Sequence, residues 1–113
     1  WDSVDTIAKY LLGGYLLQFP SETLKVVERF SNSENMWLNR SSILFQLSYK
    51  EKNNFEILKS ECEKHKDSNE FFIQKAIGWA LRDYSRFNPK GVESYVNSTN
   101  LKPLSRREAL RLL

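Results

Sequence analysis

The chain has 113 residues, 41% hydrophobic and 27% charged, with a formal net charge of +3. That suffices for one domain burying somewhat over ~60% of its unfolded surface and excludes a second independent core. Four Gly and three Pro exclude collagen-like and low-complexity classes, and the longest nearly apolar run, Tyr10 to Leu17, falls far short of a membrane span. A single cysteine, Cys62, and a single histidine, His65, exclude an internal disulfide and a Cys/His zinc site, which points to a reducing compartment and no structural metal. With a helix-like pattern starting at Trp1 and no initiator Met, the sequence reads as part of a longer protein.

In chain order the start and stop signals predict helices near 2–17, 20–31, 34–49, 54–65, 69–86, 89–98 and 105–112. Pro20 and Pro89 are preorganised for a first helical position, and Asn88 stands ready as a cap. Asp67-Ser68-Asn69-Glu70 and Ser105-Arg106-Arg107-Glu108 have the spacing of capping boxes, while Ser33-Glu34 and Asn53-Asn54 mark weaker starts. No segment alternates with period two for long enough to be a strand. Helix pairs begin near 1, 35 and 70, so the expected class is all-α, an α-solenoid of antiparallel helix pairs with HEAT-like repeats.

Charge is spread unevenly along these helices. Residues 1–81 hold ten Lys/Arg against eleven Asp/Glu, and residues 82–113 hold seven against three. A basic end of this kind is the footprint of a polyanion partner, or simply of a solvated surface.

Certain residues break the amphipathic pattern. In the third helix the apolar stripe is Met36, Trp37, Ile43, Leu44 and Leu47, and Arg40 points into it, so Arg40 must be paired, reach out to solvent or line an anion cavity. In the fifth helix the core face is Ile73, Ala76, Ile77, Ala80, Leu81 and Tyr84, and Trp79 projects away from it, with Lys75, Arg82 and Arg86 at −4, +3 and +7. An aromatic ring among cations suits nucleic acid, and packing against a neighbouring repeat is the alternative. In the first helix Val4, Ile7, Ala8, Leu11 and Tyr15 form the expected core face, with Trp1 and Asp5 together on its flank. Met36, Trp37, Phe45, Phe71 and Phe72 are assigned to the core, and Cys62 and His65 to a solvated outer face. Asp5, Arg40 and Trp79 stand 35 and 39 residues apart, each on the first helix of successive pairs, and a solenoid would bring them together.

The segments WDSVD, WLNRSSILFQL, FFIQKAIGWALRDYSR and LSRREAL, collinear over nearly the whole chain, closely resemble the C-terminal half of the bacterial AlkD-like DNA alkylation repair glycosylases. The resemblance implies HEAT-like repeats, double-stranded DNA carrying alkylated bases as partner, no cofactor, and action in the bacterial cytoplasm at the nucleoid. It places the catalytic aspartate at Asp5, its aromatic partners at Trp1 and Trp79, and the arginine at Arg40. Family members commonly carry a second basic residue before that arginine, where this chain has Asn39.

The chemistry implied is hydrolysis of the N-glycosidic bond of a positively charged N3- or N7-alkylated purine, such as 3-methyladenine or 7-methylguanine. Such a base leaves without a proton donor, so the site needs only a fixed anion beside the developing oxocarbenium ion and an acceptor for water. Lys75, Arg82 and Arg86 are the expected DNA contacts, joined by a phosphate site where Ser105 opens the last helix beside Arg106 and Arg107. A non-catalytic HEAT-like scaffold binding DNA or protein is the competing class, and the presence of Asp5 favours the enzyme.

Overall fold

A computed structural model of the chain describes residues 11–47 and 49–113, and the described residues form helices and no strand. The elements are α1 (Gly13–Gln18), α2 (Thr23–Ser31), α3 (Met36–Leu44), α4 (Phe55–His65), α5 (Phe71–Ser85), α6 (Pro89–Ser98) and α7 (Pro103–Ala109). Short 3-10 turns at Pro20–Glu22 and Lys50–Lys52 precede α2 and α4. None of these helices is long and apolar enough to cross a membrane.

Local chemistry explains most helix starts. Asn35 accepts from the amides of Trp37 and Leu38, Asn54 from Ile57 and Asn88 from Gly91, so three asparagines satisfy otherwise orphaned donors. Both expected capping boxes are corrected. Glu70 is itself extended and precedes α5, which begins at Phe71, and Ser68 Oγ accepts from the Glu70 amide instead of capping the helix. Pro103, with its preset φ, starts α7 two residues before Ser105, leaving Ser105 inside the first turn.

Alternate helices stack: α3 packs on α5 and α5 on α7, while α2, α4 and α6 each pair with their chain neighbours. The core is Ile43, Leu44, Leu47, Leu58, Cys62, Ile73, Ala76, Ile77, Ala80, Leu81, Val92 and Val96, extended by Leu101 and Ala109. Fully burying a Leu, Ile or Val contributes about 1.5–3 kcal/mol, which makes this cluster the principal stabilising term. A smaller cluster of Leu16, Val27 and Phe45 ties α1 and α2 to the segment after α3.

The period of the solenoid is visible in its hydrogen bonds. Ser31 Oγ meets His65 Nε2 at 2.9 Å, Tyr95 donates to Glu63 at 2.9 Å, Tyr49 donates to the Gly13 carbonyl at 2.6 Å and Ser105 donates to the Gln74 carbonyl at 2.8 Å. These partners are 34, 32, 36 and 31 residues apart, close to the 35-residue repeat. Each bond therefore joins one helix pair to the next.

Three expectations about burial are corrected. Leu11 and Tyr15 are exposed, and Gly13 and Leu16 supply the buried side of α1. Phe71 is 54% exposed, since it opens α5 and Ile73 turns inward in its place. Cys62 is fully buried and Glu61 nearly so, because α4 lies between α3 and α5 and presents that edge to the core. Phe45 is buried, and Met36, Trp37 and Phe72 are half-buried.

Candidate nucleic-acid interface and active site

Arg40 is carried by α3, whose position is fixed by two asparagines. Asn35 caps it, and the Asn39 amide donates to the carbonyls of Phe30, Ser31 and Ser33 at 2.9, 3.2 and 2.9 Å. Those carbonyls close the end of α2, where helix acceptors lack intrahelical partners. The residue before the arginine is therefore a clamp between α2 and α3, a role that sequence spacing did not indicate.

Only 6% of Arg40 is exposed. Its Nη1 donates to the Phe72 carbonyl, and its guanidinium carbon lies 5.9 Å from the Phe72 ring centroid and 6.0 Å from that of Trp79. A guanidinium over two aromatic faces gains cation–π attraction while its charge is spread. The Trp37 ring packs against Phe72, with centroids 5.5 Å apart. The expected convergence of Arg40 and Trp79 is thus present, Trp79 being half-buried against the core. Trp1 and Asp5 lie outside the described residues.

Lys75 and Arg82 both meet Glu108 of α7, Lys75 Nζ at 3.6 Å and Arg82 Nη1 at 2.9 Å. Arg111 Nη1 approaches the same carboxylate at 3.5 Å. Burial works to raise the Glu108 pKa, but Lys75, Arg111 and Arg82 outweigh it and hold the carboxyl below its ordinary value. In the sequence Glu108 reads only as part of a capping box; the one local signal of its ion pairing is the i, i+3 spacing to Arg111, and the link to α5 is tertiary.

Ser105 is almost fully buried with its hydroxyl on Gln74, so the expected phosphate site at a Ser105-capped helix start is corrected. Arg106 reaches back to the Val96 carbonyl at 3.1 Å and Asn97 Oδ1 at 2.9 Å, which joins α7 to α6. Arg86 and Arg107 are exposed.

The α4 groups sit apart from this face. Burial pushes the Cys62 thiol well up, reinforced by Glu61 and Glu63, so it is not a reactive thiolate. Hydrogen bonds from Thr99 and Lys66 bring the Glu63 carboxyl down to about 2, and with Tyr95 they staple α4 to α6. Among the described residues no three His, Cys, Asp or Glu side chains converge as metal ligands. A cavity of about 990 Å³ lies between α1, α2 and α4, lined by Leu16, Leu24, Val27, Phe45 and Ile57, and includes neither Arg40 nor Trp79.

These features define a helical-repeat protein with an aromatic and cationic face. Over residues 1–113 the sequence matches the model of the DNA alkylation repair enzyme family, and the chain belongs to that family. A solved structure from Enterococcus faecalis, described as a predicted DNA alkylation repair enzyme, is similar with a TM-score of 0.92 and 39% sequence identity. The match covers 100% of this chain and 53% of that one, so this chain spans about half the length of that relative. No curated protein matches.

Proposed function

We propose that the protein of which this chain is part is a DNA glycosylase that removes cationic N3- or N7-alkylated purines from duplex DNA. The observation that carries the reading is the meeting of Arg40 and Trp79, from helices 39 residues apart in sequence, at 6.0 Å. Support comes also from membership of the alkylation repair family.

In this reading the C1′–N bond breaks with its electron pair going to the alkylated ring, whose positive charge is thereby cancelled. The sugar is left as an oxocarbenium ion. Asp5 stands beside it as a fixed anion and accepts a hydrogen bond from water, whose oxygen adds to C1′ and whose proton departs through Asp5 to solvent. Electrostatic preorganisation of this kind contributes about 10²–10³ in rate. Trp1 and Trp79 flank the deoxyribose and attract its developing charge. Arg40, fixed against Phe72 and Trp79, holds the indole in place and presents positive charge toward the nucleotide's phosphate. Arg86, Arg106 and Arg107 supply contacts to the duplex backbone, with Lys75 and Arg82 contributing through the ion-pair cluster at Glu108.

The test is chromatographic detection of free 7-methylguanine or 3-methyladenine released from methylated duplex DNA by the intact protein. Release of the free base is expected, and intact methylated DNA after prolonged incubation would leave the scaffold class in its place.

A further inference from the structure

Taking duplex DNA as the partner, as proposed above, we infer that Glu108 is a specificity-determining counter-ion. It occupies the place of a backbone phosphate among Lys75, Arg82 and Arg111 and so holds down affinity for undamaged DNA.

Three cations converge on this one carboxylate, at 3.6, 2.9 and 3.5 Å, from α5 and from the end of the chain. Two positive charges remain in excess. The arrangement is fixed from below: Ser105 is bonded to Gln74, and a Cβ added at Gly78 would come within 2.5 Å of Glu108 Cβ. Helix α7 therefore lies close enough on α5 that the Glu108 side chain, 12% exposed, stays between the cations. Lys75 and Arg111 have side chains 45% and 67% exposed, while Arg82 is the most enclosed of the three at 23%.

Two of the cations can thus exchange one acceptor for another without disturbing the fold. A phosphate offers them the same oxygen acceptors at the same distances as Glu108 does. It also has to approach a fixed like charge, which lowers its affinity. Glu108 therefore sets the affinity at this ridge, and phosphate contact there depends on the rest of the duplex being well seated.

The experiment is fluorescence anisotropy of the intact protein on a short undamaged duplex across a salt series, with Glu93→Gln as a control that removes an exposed carboxylate on α6. Glu108→Gln should tighten binding by about 3- to 10-fold and steepen the slope of log affinity against log salt by about one unit. Glu93→Gln should stay within about twofold of wild type, as expected for an exposed carboxylate outside the ion-pair cluster. Glu108→Asp, which keeps the charge but withdraws it by one methylene, should fall between wild type and Glu108→Gln. Adding Lys75→Gln and Arg111→Gln to Glu108→Gln should abolish that gain and leave the slope about one unit below the wild-type value, since Arg82 is then the one cation left in the cluster. A merely structural role predicts weaker binding on loss of Glu108, so unchanged or weaker binding in both Glu108 variants would overturn the inference. Absence of duplex binding by the wild-type protein would overturn the DNA reading and this inference with it.

Discussion

The guanidinium carbon of Arg40 lies 6.0 Å from the ring centroid of Trp79, across the contact between the third and fifth helices. The same guanidinium donates to the backbone carbonyl of Phe72, the second residue of α5. One side chain thus fixes both the position of a helix and the orientation of the indole that the proposed chemistry uses.

Arg40→Ala should lower stability by about 2–4 kcal/mol, since it leaves the Phe72 carbonyl without this donor and empties the space between two rings. Arg40→Lys should recover part of that loss, because an ammonium can reach the carbonyl but cannot lie flat over Trp79. Urea denaturation followed by tryptophan fluorescence measures both effects, and an unchanged midpoint in Arg40→Ala would mean that the contact contributes nothing.

The approach of α7 to α5 depends on a missing side chain. Gly78→Ala places a Cβ 2.5 Å from Glu108 Cβ and 3.1 Å from the Ser105 carbonyl oxygen, and the second of these is backbone. The helices must separate, at a cost of about 1–3 kcal/mol against a gain in helix propensity of up to about 1 kcal/mol. A lowered melting temperature by circular dichroism is expected, and a raised one would show that the helices repack without strain.

How much was legible in the sequence follows from the range of the forces involved. The core face of α5 was readable because helical periodicity alone places Ile73, Ala76, Ile77, Ala80 and Leu81 together, and all five are buried. The buried position of Arg40 and its meeting with Trp79 were readable for a related reason: a repeat of constant length converts sequence spacing into spatial adjacency. Ser105 was misread because a capping box is a local pattern, and Pro103 upstream supplies a stronger start while the serine hydroxyl finds a partner on another helix. Cys62 reads as solvent-facing because its neighbours are charged, yet α4 is covered on that edge by α3 and α5. The capture of Lys75 and Arg82 by Glu108, 26 residues beyond Arg82, leaves no local trace in the sequence.

Stability should fall as pH drops below about 6.5. Burial lowers the His65 pKa below its ordinary value of 6.5, Lys64 adds to this and Glu61 opposes it, so protonation favours the unfolded chain. The contribution is complete above pH 6.5 and is lost as pH falls toward the depressed folded value. Glu63, whose carboxyl titrates near 2 when folded, loses its contribution only below about 4.5, which separates the two windows. His65→Gln should flatten the dependence between about pH 7 and 5 in urea titrations; a slope as steep as wild type would assign that window to another group.

Exposed arginines at the basic end should act on DNA without regard to sequence. Arg86→Gln is expected to weaken duplex binding uniformly and to flatten the salt slope by about one unit. Combining it with Arg82→Gln should add less than Arg86→Gln alone, because Arg82 is partly neutralised by Glu108 at 2.9 Å. Equal and additive losses would mean that Arg82 is fully engaged with phosphate despite that pairing.

The central claim is that the protein breaks a glycosidic bond, and Asp5→Asn tests it most directly. The substitution keeps size and most hydrogen bonding but removes the anion beside the oxocarbenium ion. In the intact protein, single-turnover release of 7-methylguanine from methylated duplex should fall by about 10²-fold or more, with affinity for undamaged DNA little changed. Release by Asp5→Asn at the wild-type rate would contradict the account and assign the catalytic charge to another group.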